Sequence, residues 1–368
     1  MTISVSHAKT GRQVNWDLLR IICMFLVVVC HTSSNIGSCR GLVAGAIAGD
    51  AALLCDPIFF SLSGFFAIRP LKESYLKYLI RKMIAIVIPI GIYSLVVYAW
   101  LYFAGGAELS FRAYFGWLLS MLSGPWWFIP SLIPMLVTAP FLYFFFSKLD
   151  FEQKKLLSKA VAILVLLGIG YTVVSSLADS HQHSTIVAAI ACVQKVLPPT
   201  LMIGGYSLYF SLGYFIREDM LVRDLSQYRH LILFGIIGWL LGAFAIQWGY
   251  KRADPSFLWF FATIAFFLIF GKVHISSGVI RNSISYIAKR CYSIYLLQST
   301  VIAFVVEKSV VSAVLINLAF IPRFALWFAV TFLCWLISLA LAAIIDELVL
   351  KPFQKLLTCL ISHLDNFS

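Results

Sequence analysis

Apolar segments recur along this chain at roughly 16–36, 46–68, 82–104, 126–147, 157–177, 198–216, 231–249, 256–271, 291–306 and 324–350, and most approach the ~20 residues a helix needs to cross a hydrocarbon layer. One water-soluble core cannot bury that much apolar chain. The composition agrees: 61% of the 368 residues are hydrophobic and 12% charged, where a soluble domain carries about 25% charged residues. The mean hydropathy is +0.92. The pattern predicts an all-α, polytopic transmembrane bundle of about ten spans. Residues 15–350 form one transmembrane domain between an N-terminal tail, 1–14, and a C-terminal tail, 351–368. The partly amphipathic stretch 107–123 is expected to lie along an interface rather than cross.

The net charge of +12 follows the membrane instead of marking a nucleic-acid partner. With the N-terminus inside, most lysines and arginines fall in inner loops, among them Arg69, Lys72, Lys77, Arg81, Lys82, Arg217, Arg223, Arg229, Arg290 and Lys351. Arg40, Arg112, Lys195, Lys251, Arg252, Lys308 and Arg323 fall outside. The positive-inside bias predicts an N-in, C-in topology with an even number of spans. The first span is longer, and more polar in its outer half, than a signal-peptide core, so it is expected to stay as an anchor. The eight cysteines are scattered, mostly within spans, where a thiol packs as a small residue. Cys39 and Cys192 both fall outside, where a disulfide between them is open but not required by the pattern.

Within the first span stand Arg20 and His31, with Asp17 one turn below Arg20. Ionisable groups at that depth face a bundle interior or a wet cavity and mark function. Eleven residues at about 100° each bring both side chains to one helix face, about 16 Å apart along the axis. His31 has the chemistry of a general base. The bland alternatives are a histidine bonded to a backbone carbonyl and an arginine snorkelling to the surface.

The second span carries Asp56 and Pro57, then Ser61-Leu62-Ser63-Gly64. Pro57 implies a kink and Asp56 an intramembrane carboxylate able to pair with Arg20 or orient His31. Gly64 reads as a packing residue, Ser63 as packing or positioning. Trp126-Trp127-Phe128-Ile129-Pro130 opens the fourth span with interfacial aromatics. No metal-ligand spacing, Gly-rich phosphate loop or nucleic-acid motif is evident.

In order along the chain, these elements resemble the acyltransferase family 3 membrane proteins. The matching stretches are Trp16-Asp17-Leu18-Leu19-Arg20 with His31 eleven residues on, Phe59 to Phe65, and Arg81-Lys82 before Pro89. They continue with Trp127-Phe128-Ile129, Leu212 to Phe215, Ser293 to Leu297 and Lys351-Pro352-Phe353. The resemblance implies transfer of an acyl group, usually from cytoplasmic acetyl-CoA, to a hydroxyl of a cell-envelope carbohydrate or lipid-linked glycan at a bacterial cytoplasmic membrane. By the same resemblance Arg20, Arg81 and Lys82 meet the donor's phosphates. His31 acts as base or transient acyl carrier, with Arg20 and Asp17 beside it in the catalytic set. Asp56, Ser63, Trp127 and Gln298 are substrate or positioning residues.

Two departures stand out. Ile84 and Ala85 follow Arg81-Lys82 where the family often has a second arginine, and Gln298 occupies a position where the family tends to have histidine. Gln298 can hydrogen-bond but cannot take a proton at neutral pH. A transporter or flippase for a lipid-linked or small solute, and a catalytically silent partner keeping the fold, are the competing classes. Binding of acyl-CoA from the inner face separates them from the enzyme.

Overall fold

A computed structural model describes residues 13–37, 43–180, 205–248, 253–307 and 311–364, with positions 185, 189, 192 and 250. Cys39 lies outside the described residues. These residues form helices and connecting turns, with no strand among them. The helices are α1 (Val14–Gly37), α2 (Val43–Ala52), α3 (Cys55–Ala67), α4 (Tyr75–Phe103), α5 (Phe111–Ser123), α6 (Phe128–Phe146), α7 (Phe151–Ser180) and α8 (Tyr206–Phe215). They continue with α9 (Arg229–Ala245), α10 (Leu258–Phe270), α11 (Gly278–Ala288), α12 (Cys291–Ile302), α13 (Val311–Asn317), α14 (Phe320–Ile345) and α15 (Lys351–Leu364).

Seven segments among the described residues are long and apolar enough to cross a membrane: Val14–Ser33, Gly45–Ala67, Tyr75–Phe103, Phe128–Phe146, Phe151–Leu177, Leu225–Ala245 and Ile321–Cys359. Each overlaps an expected span, and the last runs past residue 350 to Cys359, into the stretch expected as the C-terminal tail. Leu258–Phe270 and Cys291–Val306 are apolar but shorter, and the expected span 198–216 begins outside the described residues and enters them as α8. The stretch 107–123 contains α5, which has no buried residue. Outward faces of the bundle are apolar: Leu95, Phe141, Phe144, Leu167, Leu241 and Phe332 are all exposed, as a lipid-facing surface requires.

Backbone breaks in the helices follow the prolines, and side-chain hydroxyls and amides bond the carbonyls around them. Pro57 sits in the first turn of α3, where its missing N–H has no helical partner to lose. The carbonyl of Leu53, four residues earlier, instead accepts from Asp56 N at 3.2 Å in the turn that separates α2 from α3. In α6, Pro140 cannot donate to Leu136 O, and Tyr78 Oη donates to it at 2.7 Å. Tyr75 Oη bonds the adjacent Val137 O at 2.9 Å. In α4, the carbonyls of Ile84 and Ile86 flank the one released by Pro89. They accept from Gln354 Nε2 at 3.0 Å and Tyr292 Oη at 3.0 Å. The prolines thus convert helix interiors into joints between helices.

Helix α3 is the centre of the bundle because it packs backbone to backbone on α8. A Cβ on Gly64 would lie 1.7 Å from Phe210 O, and one on Gly213 would lie 2.1 Å from Ser61 O. Ser61 Oγ bonds Tyr209 O across the same seam at 2.9 Å. Close approach of this kind is what small residues supply between helices in lipid. Trp16 of α1 wedges against Phe65 and Phe267, with ring centroids 4.9 and 5.4 Å away. Asn15 Nδ2 bonds Phe270 O at 3.1 Å. The start of α1 therefore meets the ends of α3 and α10, so α1 runs antiparallel to both. Gly64→Ala and Gly213→Ala are each expected to destabilise the bundle by about 1–3 kcal/mol through overpacking. Thermal unfolding in detergent checks this; an unchanged midpoint for both would contradict the seam.

Candidate active site

Facing stripes of α1 and α3 enclose a cavity of about 830 Å³. From α1 come Arg20, Met24, Val27 and His31, at intervals of four, three and four residues, the signature of one helix face. From α3 come Asp56, Phe59 and Ser63, again on one face. Because the helices are antiparallel, Arg20 and Ser63 mark one end of the cavity and His31 and Asp56 the region toward the other. Asp50 of α2 and Pro125 and Trp127 beside α6 complete that far region, while Ala85 and Ile86 of α4 and Cys291, Tyr292 and Tyr295 of α12 form a side wall.

Arg20 is oriented by its own helix: Nη1 donates to Asp17 Oδ1 at 2.9 Å, and Asp17 is buried beneath it. An i, i+3 pair of this kind holds the guanidinium toward the opening. Asp17 itself does not line the cavity.

His31 is held from the opposite side by α12. Its Nδ1–H donates to Gln298 Oε1 at 2.9 Å, and Gln298 is fully buried. An amide oxygen can only accept, so this bond fixes the tautomer with its lone pair on Nε2. Gln298, which cannot take a proton at neutral pH, is thus in direct contact with the cavity histidine. The neighbouring Thr32 Oγ1 is 2.8 Å from Thr331 Oγ1, tying α1 to α14 just beyond His31.

Of the other sequence-derived candidates, Ser63 lines the cavity with its hydroxyl donating to Phe59 O at 2.8 Å. Trp127 lies beside Phe60 and Tyr206 at 6.2 and 5.2 Å between ring centroids. Asp56 is on the wall and accepts from Cys55 Sγ at 3.6 Å. Arg81 and Lys82 are not brought to the cavity. The side chain of Arg81 is 67% exposed and pairs with Glu73. The Lys82 ammonium lies 5.4 Å from the centre of the Tyr78 ring.

Several lining residues were not among the sequence candidates. Asp50 is a second carboxylate in the same apolar segment as Asp56, and the reasoning that selected Asp56 applied equally to it. Cys30, Cys55 and Cys291 face the cavity although their pattern reads as packing. A further buried carboxylate, Asp346, accepts from Tyr93 Oη and Ser293 Oγ, each at 2.7 Å on Oδ1. It sits in the wider π-turn Asp346–Leu350 that ends α14, and it joins α4, α12 and α14 around the side wall. Among the described residues no group of three or more His, Cys, Asp or Glu is placed to hold a metal ion.

The cavity makes Cys30 reachable and leaves Cys23, one face away, fully buried. In two chains that keep only one of these thiols, Cys30 is expected to react with methanethiosulfonate about tenfold faster or more than Cys23. Equal rates would contradict an open cavity.

Comparison with known protein families matches residues 13–345 to the acyltransferase 3 family, described as an acyltransferase domain. No curated protein and no solved structure matches the chain. The family match includes α1 with Arg20 and His31, the α3–α8 seam and Gln298 on α12, so the whole cavity falls inside it. The chain therefore belongs to the acyltransferase 3 family, and its apolar helices fit a membrane acyltransferase.

Proposed function

We propose that this chain transfers an acetyl group from cytoplasmic acetyl-CoA to a hydroxyl of a cell-envelope carbohydrate or lipid-linked glycan, across a bacterial cytoplasmic membrane that it spans about ten times with both ends inside. The observation that carries this reading is the placement of Arg20 and His31 in one cavity, about 16 Å apart along α1. Extended chain covers about 3.8 Å per three bonds. The twelve bonds from the diphosphate of CoA to its sulphur therefore reach about 15 Å, bringing the thioester to His31 when the phosphates rest at Arg20. The cavity volume lies within the range of small-molecule sites. Arg69 and Arg217 stand about the end of α3 on which Trp16 of α1 packs, which supports that end as the cytoplasmic one.

In this reading the acceptor enters from the far end, with its sugar face against Trp127 and its hydroxyls bonded to Asp50 and Asp56. His31 Nε2 takes the proton of the acceptor hydroxyl as its oxygen attacks the thioester carbonyl. The C–S bond then breaks, the new ester C–O bond remains, and the imidazolium returns the proton to the departing CoA thiolate. Gln298 keeps the base in the required tautomer, and Asp17 keeps Arg20 aimed at the donor.

Membranes supplied with labelled acetyl-CoA on the cytoplasmic side test the reading directly. The wild type is expected to label extractable glycans or glycolipids, and His31→Ala to lose about 10²–10⁴-fold in rate at an unchanged melting temperature. Retained transfer in His31→Ala would remove the base assignment; no label with folded wild type would favour the transport or silent-partner class. Arg20→Lys is expected to lower kcat/KM about tenfold, the equivalent of one charge-assisted hydrogen bond. Gln298→Leu is expected to lower kcat about 10–100-fold with little change in donor KM, and Gln298→His to recover most of it by restoring an acceptor for Nδ1–H. Full activity in Gln298→Leu would show that the contact does not position the base.

A further inference from the structure

The α3 stripe does not stop at the cavity. Asp56, Phe59 and Ser63 line it, and the same spacing carries on to Phe66, a 36% exposed ring just beyond the Arg20 end. The Arg20 guanidinium carbon lies 5.6 Å from the centre of that ring, and the Arg69 guanidinium carbon also lies 5.6 Å from it. The two cations are therefore no further apart than twice that distance, and both lie against the same aromatic ring. Arg20 shares its charge with Asp17. Arg69 makes no ion pair among the described residues.

The backbone beneath Arg69 is fixed. Arg217, on the π-turn Ile216–Met220 that ends α8, donates to Phe65 O and, at 2.7 Å, to Ile68 O, taking carbonyls that the end of α3 leaves without helical donors. Burial and the neighbouring Arg217 charge both push the Arg69 guanidinium below its ordinary pKa, against a weaker opposing pull from Glu218. An anion arriving there would offset the repulsion between the two guanidinium groups.

We propose that Arg69 and Arg20, set about Phe66, form the clamp for the diphosphate of the acyl donor, one phosphate facing each guanidinium. This rests on the acyl-CoA reading above. It places the head-group contact at the end of α3, where Arg69 shares the Phe66 ring with the cavity residue Arg20, whereas Arg81 pairs with Glu73 and Lys82 lies against Tyr78. The chemistry recognised is a phosphate ester beside an aromatic ring, which a nucleotide diphosphate and an anionic lipid headgroup share in part.

Steady-state kinetics of the full chain in nanodiscs separate the possibilities. In phosphatidylcholine discs, Arg69→Gln is expected to raise KM for acetyl-CoA about tenfold with kcat unchanged, and Phe66→Leu to raise it in the same direction by a smaller factor. S-acetylpantetheine, which lacks the diphosphate, should show the same KM with wild type and both variants. Adding phosphatidylglycerol should leave these ratios as they are. An unchanged KM for acetyl-CoA in both variants overturns the clamp while leaving the acyltransferase reading intact. An equal loss with S-acetylpantetheine overturns it in favour of a purely structural Arg69. An effect seen only with phosphatidylglycerol present overturns it in favour of a lipid headgroup site. If the folded wild type neither binds CoA nor turns over acetyl-CoA, the acyl-CoA reading fails and the clamp fails with it.

Discussion

Hydrocarbon gives a polar side chain nowhere to go but inward, and the whole arrangement depends on that constraint. Arg20, His31, Asp50 and Asp56 lie in apolar segments of α1, α2 and α3, and all four face the same cavity. The helices could not pack with these groups turned outward without exposing charge to lipid. Once α1 and α3 are antiparallel, the opposed polar stripes define a track with a cation at one end and carboxylates and an imidazole at the other. The glycine seam between α3 and α8 fixes where that track runs, since Gly64 and Gly213 admit no displacement of either backbone toward the other.

The prolines contribute in a less obvious way. Each one that interrupts a helix leaves a carbonyl unsatisfied, and in lipid such a group must find a donor within the protein. Tyr78 answers Leu136, and Gln354 and Tyr292 bond the carbonyls either side of the one Pro89 releases. These bonds tie α4 to α6, α12 and α15, the helices that border the side wall. The same logic places Arg217 at the end of α3, where a guanidinium serves two carbonyls and stiffens the residues that carry Phe66 and Arg69.

Much of this was legible in the sequence, and the rest was hidden for identifiable reasons. Seven expected spans correspond to long apolar helices because hydropathy over about 20 residues is a strong signal. The shared face of Arg20 and His31 followed from helical periodicity, and both line one cavity. Gly64 was read correctly as a packing residue. What periodicity could not reveal was contact between distant helices. The bond between His31 and Gln298 joins residues 267 positions apart, and nothing local to either foretells it. Arg81 and Lys82 resembled phosphate ligands, and the contacts they make, with Glu73 in the turn before α4 and with Tyr78 in its first turn, were not legible in that motif. Asp50 met the same criterion as Asp56 but has no neighbouring proline to single it out.

The central claim is that one cavity receives the donor at Arg20 and delivers its acyl group to His31. The most direct test is a cryo-EM map of the full chain with acetonyl-CoA, in which a methylene inserted between sulphur and carbonyl removes the reactive thioester. The account predicts continuous density from Arg20 along the α1–α3 track, ending with the carbonyl within hydrogen-bond reach of the His31 side chain. An analogue bound outside the cavity, or entering from the Asp50 end, would contradict it.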